Sequence, residues 1–228
     1  MTIAADLSFL AAVLKWGRHV RHLDIPADLP AQVRSSLKHR GLDTRSKERE
    51  REPTNEELSR LYAYWSANSR QRIDMQAICR FALATGMRLG EICELRAQDV
   101  DLVRRTALIR DRKDPRRKIG NNQVVPLLPD AVEILQAALC RNDCERVFGA
   151  RADSVSTAFT RACKAVEPPI DDLHFHDLRH RATAQFFRMG LDIPRVALLT
   201  GHKTWTMLRR YTSIRPEDVL DFVEKGSR

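Results

Sequence analysis

One segment in the C-terminal half of the chain places an imidazole and a guanidinium close together. In HFHDLRHRAT, over 174–183, His176 and Arg179 are three residues apart and should share one face of a helix. The opposite face is apolar and should dock that helix on a core. A guanidinium can bind two phosphate oxygens and an imidazole can move a proton. The pair is therefore compatible with phosphoryl chemistry, although an HxxR spacing alone is more often an ordinary solvated face.

Two further segments carry side chains of complementary chemistry. In TGHKTWTMLRRYT, over 200–212, His202 follows Gly201 at a helix end, and Tyr211 comes nine residues after His202. In ATGMRLGE, over 84–91, Arg88 precedes a helix and Glu91 is close enough to hold it. A phenol with a pKa of about 10 becomes a nucleophile only when its proton is withdrawn. Each segment alone is weak evidence, but together they supply a nucleophile, two cations and two imidazoles.

The order and separation of these segments resemble those of the tyrosine recombinases, or phage integrase family. TGMRLGE resembles the first arginine box of that family, HDLRH its HxxR box, and TGHKTWTMLRRYT its final box. The segment IRDRKDPRRKIGNNQVVPL, over 109–127, is similar to the β-hairpin that carries the family lysine. In the family this lysine lies about eight residues before a strand proline, which from Pro126 gives Lys118, with Lys113 as the alternative. The resemblance spans about 54–225.

The resemblance implies a site-specific recombinase or integrase that cleaves and rejoins DNA through a 3′-phosphotyrosine, with no cofactor and no metal. It assigns six catalytic residues: Arg88, Lys118, His176, Arg179, His202 and Tyr211. Tyr211 would attack the phosphorus, the two arginines would bind the non-bridging oxygens, and Lys118 would protonate the leaving 5′ oxygen. His176 would act as general base or proton shuttle, and His202 would donate a hydrogen bond to the phosphate. Glu91 and Asp177 would orient these groups.

The charge distribution points to double-stranded DNA as the partner. The chain carries 39 Lys and Arg against 30 Asp and Glu, and 104–118 holds eight of the basic residues. The residues predicted to contact DNA are Arg112, Lys113, Arg116 and Arg117 in this loop, and Lys38 and Arg40 in the basic segment 34–51. Family resemblance further implies a tetramer on DNA and accessory DNA-bending proteins. It also implies that the helix after Pro216 docks on a neighbouring subunit; the alternative is that this helix packs on its own core. No membrane partner is expected.

The elements that must position these residues are mostly helical. The predicted fold is α+β, with many amphipathic helices and one small antiparallel sheet built from strands near 106–110 and 123–127. Thr54 and Glu57 form a capping-box pair at the start of one helix. The predicted organisation is a remnant of an N-terminal core-binding region over 1–33, a basic linker over 34–53 and a catalytic domain over 54–228.

Several other classes of protein are disfavoured. No GxxxxGK[ST] loop and no dense carboxylate cluster of a two-metal nuclease is present. Cys140 and Cys144 are four residues apart without a second metal-ligand pair nearby, and the five cysteines favour a reduced, cytoplasmic protein. The family resemblance implies a bacterial or phage-encoded protein.

Two other functions stay open at this stage. A DNA-relaxing enzyme similar to the type IB topoisomerases would use the same nucleophile, and a DNA-binding regulator could have the same fold without cleaving.

Overall fold

The chain divides into two compact units. The computed structural model describes residues 2–42, 44, 51–68, 70–113, 119–141 and 144–212. The units are Met1–Arg49 and Glu50–Arg228. Among the described residues, no helix combines the length and the apolar character that a membrane span requires.

The first unit is a pair of helices, α1 (Ile3–Val20) and α2 (Leu29–His39). The Arg34 guanidinium ties them together by donating to the Ala4 carbonyl at 3.0 Å and to the Ser8 hydroxyl at 3.0 Å. Residues 34–39, at the start of the predicted linker, form the end of α2. Pro30 in the first turn pre-sets helical backbone angles there, and that signal outweighs the polar composition of the segment.

The second unit contains the remaining elements. Its helices within the described residues are α3 (Asn55–Ala67), α4 (Met75–Thr85), α5 (Leu89–Glu94), α6 (Pro129–Arg141), α7 (Ala152–Ala165), α8 (Phe175–Arg188) and α9 (Ile193–Thr200). Short 3₁₀ turns lie at Ala97–Asp99, after α5, and at Trp205–Met207 and Arg209–Tyr211, after α9. The capping box at α3 is confirmed: the Thr54 hydroxyl accepts from the Glu57 amide at 3.1 Å, and the Glu57 carboxylate accepts from the Thr54 amide at 2.7 Å.

A three-stranded antiparallel sheet lies between α5 and α6 in the sequence. The strands β1 (Val100–Asp101), β2 (Thr106–Ile109) and β3 (Gln123–Pro126) follow in spatial order, and Ala107 pairs with Val100 on one side and Val125 on the other. β2 and β3 confirm the two predicted strands. The two residues of β1 were not predicted because so short a strand has no alternating pattern. The mostly helical fold with a small antiparallel sheet is confirmed.

The core is built around α4 and α8. α4 buries Ile78 and Phe81 completely and packs against α6 and α8. α8 is buried over most of its length, including the polar side chains of Arg179 and Thr183. Polar side chains buried on a helix need hydrogen-bond partners on neighbouring elements. Because such contacts hold the side chains in fixed positions, α8 is a suitable element for a functional site.

Candidate active site

Arg179 is the centre of the predicted site. Its side chain projects from α8, is 4% exposed, and donates from Nη1 to the Gly86 and Thr200 carbonyls, both at 2.6 Å. Its Nη2 lies 3.1 Å from His202 Nε2. Because Gly86 ends α4 and Thr200 ends α9, one guanidinium joins the first predicted box to the last.

His202 is held by hydrogen bonds on both ring nitrogens. A guanidinium only donates, so His202 Nε2 accepts from Arg179. His202 Nδ1 lies 2.6 Å from the Thr200 hydroxyl, which itself donates to the Val196 carbonyl at 2.7 Å. Hydrogen-bond complementarity therefore assigns the ring proton to Nδ1. Thr200 was not predicted as a site residue, although its position directly before the Gly-His pair marks it as a neighbour.

Arg88 lies at the start of α5 and is fixed by Glu91. Arg88 Nη1 donates to Glu91 Oε1 at 2.8 Å, and the Arg88 amide donates to Glu91 Oε2 at 3.1 Å. Burial raises the pKa of the Glu91 carboxyl, but the charges of Arg112 and Arg88 outweigh it and hold this pKa below its ordinary value. Glu91 is thus an ionised carboxylate that orients Arg88, as the sequence suggested.

Arg112 is not the exposed DNA contact that the sequence predicted. Its side chain is fully buried and lies 3.4 Å from Glu91. It donates to the Leu198 and Leu199 carbonyls at 3.3 and 3.0 Å and to the Gln123 amide oxygen at 3.0 Å. The correction follows from packing, since the buried guanidinium donates to the carbonyls at the end of α9, which the helix leaves without an intrahelical partner.

The electrostatic character of the site is positive. Three guanidiniums, those of Arg88, Arg112 and Arg179, influence one another across a single carboxylate, Glu91. Burial is the main cause that lowers the pKa of Arg179 from its ordinary value, with the charge of Arg88 acting in the same direction. A guanidinium remains protonated at neutral pH despite such a shift. An excess of buried positive charge favours an anion such as a phosphodiester.

Tyr211 reaches the site from the 3₁₀ turn Arg209–Tyr211. Its hydroxyl makes a hydrogen bond with Nδ1 of His180, and its ring stacks on Phe187 with centroids 6.4 Å apart and planes 16° apart. Sequence reasoning missed His180. The available signal was its position four residues after His176 and one after Arg179, inside the HDLRH segment.

His176 lies in the first turn of α8 with an exposed side chain. Its ring meets that of His180 edge-on, with centroids 5.1 Å apart and an angle of 87°. It also lines a hollow together with Met87, Leu89 and Arg179. His176 is therefore beside the site that Arg179 and Tyr211 define, with its neighbour His180 next to the phenol.

Of the two candidate lysines, Lys113 is among the described residues and Lys118 is not. Lys113 lines a cavity of about 510 Å³ that Arg88 and Glu91 also line. The Arg112 amide donates to the Asn121 carbonyl at 2.8 Å, so hairpin pairing continues up to the residue before Lys113. Lys118, Arg116 and Arg117 lie outside the described residues, as does the predicted helix after Pro216. In the first unit, Lys38 and Arg40 are exposed at the end of α2.

Asp177 supports the site through the backbone of α8. Its buried carboxylate accepts from the His174 amide at 2.8 Å, closing the first turn of the helix. It therefore fixes the start of the helix from which His176, Arg179 and His180 project. The described part of the chain contains no group of three or more His, Cys, Asp or Glu side chains placed to hold a metal ion.

Comparison with known proteins agrees with this arrangement. The model of the phage integrase family matches residues 53–218. The shufflon-specific DNA recombinase of Escherichia coli is 36% identical over 181 residues, which are 79% of this chain and 44% of that protein. The chain therefore spans less than half the length of that relative.

Solved structures with the same fold include two integrases. The Tn1549 transposon integrase in complex with transposon right end DNA has a TM-score of 0.66 at 12% identity, covering 97% of this chain and 85% of that one. A lambda integrase dimer bound to a COC′ core site has a TM-score of 0.55 at 21% identity, covering 90% and 63%.

Proposed function

The chain belongs to the phage integrase family, and from this premise we propose that it cleaves and rejoins double-stranded DNA at specific sites through a 3′-phosphotyrosine on Tyr211. One observation carries the proposal. Arg179 contacts the start of the first box through Gly86 and the last box through Thr200 and His202, while the next residue, His180, contacts Tyr211. Three boxes that are distant in sequence thus meet around Arg179 and His180.

The chemistry follows from the charges of these groups. Arg88 and Arg179 bind the non-bridging oxygens of the scissile phosphate and stabilise the extra negative charge of the five-coordinate transition state. The Tyr211 oxygen forms a bond to phosphorus as the bond to the 5′ oxygen breaks. The ester to tyrosine conserves the bond energy, so a 5′-hydroxyl can later attack it and rejoin the strand without ATP.

The leaving 5′ oxygen needs a proton from a lysine. The shared cavity with Arg88 supports Lys113, the alternative of the two lysines considered from sequence. Its ammonium protonates the departing oxygen in cleavage and accepts that proton again in rejoining.

DNA binding and self-association complete the proposal. The net charge of +9 supports a polyanionic partner. The lambda integrase of the same fold was solved as a dimer on DNA, which supports association of this chain on its DNA site as well. Action on DNA supports a cytoplasmic location in the cell.

The test is capture of a covalent adduct from a pool of nicked duplexes of random sequence. After cleavage, the nick lets the short fragment that carries the new 5′-hydroxyl diffuse away. The strand then cannot be rejoined, so the covalent complex survives denaturation in detergent. We expect enrichment of one sequence and adduct formation in the presence of EDTA. Tyr211→Phe should fold and bind but form no adduct.

Two results would contradict this proposal. Adducts formed by Tyr211→Phe would place the nucleophile elsewhere. A folded wild-type chain that enriches a sequence by binding but never forms an adduct would indicate a DNA-binding regulator.

A further inference from the structure

The Tyr211 hydroxyl rests on an imidazole that the family resemblance does not assign. We infer that His180, rather than His176, is the catalytic residue that accepts the phenolic proton of Tyr211; this rests on the proposed function. The contact is direct, since the Tyr211 hydroxyl and His180 Nδ1 are hydrogen-bonded. His176, which the sequence suggested for this role, has its ring against that of His180.

The surroundings of His180 hold the two reacting groups in place. His180 is 9% exposed, and its ring lies 6.0 Å from the Tyr211 ring, centroid to centroid, at an angle of 33°. Phe187 stacks on Tyr211 with centroids 6.4 Å apart. The phenol therefore lies against two rings that project from α8 about two turns apart. A buried base and a fixed donor lose little entropy when the proton is transferred.

The ionisable neighbours of this contact also suit a base. Arg179 precedes His180 on α8, and its charge interacts with that of Tyr211. A nearby positive charge stabilises the phenolate that forms as Tyr211 loses its proton to His180. His176 is exposed and its ring contacts that of His180, so it can pass the proton on to solvent.

The proposed step balances in both directions. The imidazole carries its hydrogen on Nε2 and accepts the phenolic proton at Nδ1 while the tyrosine oxygen bonds to phosphorus. The phosphorus–O5′ bond breaks, and the 5′ oxygen takes a proton from the lysine. In rejoining, the 5′-hydroxyl gives its proton to the lysine and attacks phosphorus. The bond to tyrosine breaks, and His180 returns its proton to the phenolate.

The test compares His180→Asn, His180→Ala and His176→Asn in single-turnover cleavage of the enriched nicked duplex. The amide oxygen of asparagine can occupy the position of Nδ1 and accept a hydrogen bond, but it cannot take the proton. We expect His180→Asn to cleave roughly 10²–10⁴-fold more slowly than wild type at neutral pH. The deficit should shrink as pH rises, because hydroxide can then remove the phenolic proton. His176→Asn should lose less.

A second substitution separates proton transfer from simple packing. When Tyr211 is replaced by a fluorinated tyrosine, the phenol is more acidic and needs less help from a base. The deficit of His180→Asn should then shrink, whereas that of Arg88→Lys should not, because Arg88 acts on the phosphate oxygens. A merely structural role of His180 would leave its deficit unchanged by fluorination.

The hydrogen bond itself can be measured without DNA, which keeps the inference testable if the His180 variants do not fold. Nitrogen NMR of the wild-type imidazoles should show His180 with an unprotonated Nδ1 that accepts a hydrogen bond, and Tyr211→Phe should remove that bond. A protonated Nδ1 in the neutral ring would overturn the inference.

Other outcomes also decide the question. Near wild-type cleavage by His180→Asn, or rescue by fluorination confined to His176→Asn, would assign the base elsewhere. Since the proposed function requires only that wild type form an adduct, failure of this inference would be distinguishable from failure of that function.

Discussion

At the residue scale, the identity of the general acid depends on where two lysines of one loop lie. Spacing from Pro126 predicts Lys118, and Lys113, the alternative, lines a cavity that Arg88 also lines. An alkoxide leaves only when it is protonated, but a thiolate leaves readily without a proton. A strand with sulfur in the bridging 5′ position therefore bypasses the acid.

We expect Lys113→Ala to cleave a normal strand roughly 10²–10⁴-fold more slowly than wild type. It should cleave the sulfur-bridged strand at nearly the wild-type rate, as measured by single-turnover adduct formation. Lys118→Ala is the matched control from the same loop and should cleave both strands normally. Selective rescue of Lys118→Ala would restore the assignment made from spacing, and rescue of neither variant would place the acid outside the loop.

At the scale of elements, the end of α9 is shaped by a close contact with Arg112. Gly201 follows α9 with a φ of 71°, and a Cβ built there would lie 2.2 Å from the Arg112 guanidinium carbon. The guanidinium cannot move aside easily because it donates to the Leu198 and Leu199 carbonyls. Position 201 therefore requires glycine for two reasons. The backbone is left-handed there, and the Arg112 guanidinium leaves no room for a Cβ.

Gly201→Ala should destabilise the protein by about 2–4 kcal/mol, the sum of left-handed strain and steric overlap. Gly190→Ala is the matched control, since Gly190 has a φ of 84° with nothing within 4 Å of the added Cβ. It should cost only about 1 kcal/mol. Urea unfolding of the two variants measures both values. Equal losses would mean that Arg112 exerts no steric constraint on this turn.

At the scale of the whole molecule, contacts between basic side chains and DNA phosphates should dominate DNA affinity. We expect log K to fall linearly with log salt, with a slope of about −0.9 for each phosphate that the protein neutralises. If Lys38 and Arg40 contact phosphates as predicted, replacing both by alanine should reduce the slope by about 2. Fluorescence anisotropy with a labelled duplex measures the slope.

A matched pair of substitutions tests whether the position of the charge matters. Arg161 and Lys164 are exposed on α7 and were not predicted to touch DNA. Replacing both by alanine removes the same charge and should leave the slope almost unchanged. Equal effects of the two pairs would show that affinity follows net charge rather than the predicted contacts of Lys38 and Arg40.

The sequence by itself determined the local elements and the chemical groups of the site. Helix periodicity, the Thr54–Glu57 capping box and the strands on both sides of the basic loop depend on interactions within a few residues, so they can be predicted without knowledge of packing. The ordered boxes around Arg88, Arg179 and Tyr211 likewise identified the family, because the chemistry fixes which residue types must be present.

Only the tertiary structure decided which groups are buried and which touch. In the sequence Arg112 is one basic residue of a basic loop, whereas in the structure its guanidinium donates to the Leu198 and Leu199 carbonyls of α9. His180 was an unassigned neighbour of Arg179 until the turn at Tyr211 brought the phenol to its Nδ1. Both contacts join elements that are distant along the chain, and the free energy that forms them comes from burial and hydrogen bonding across the whole core, which no local pattern records.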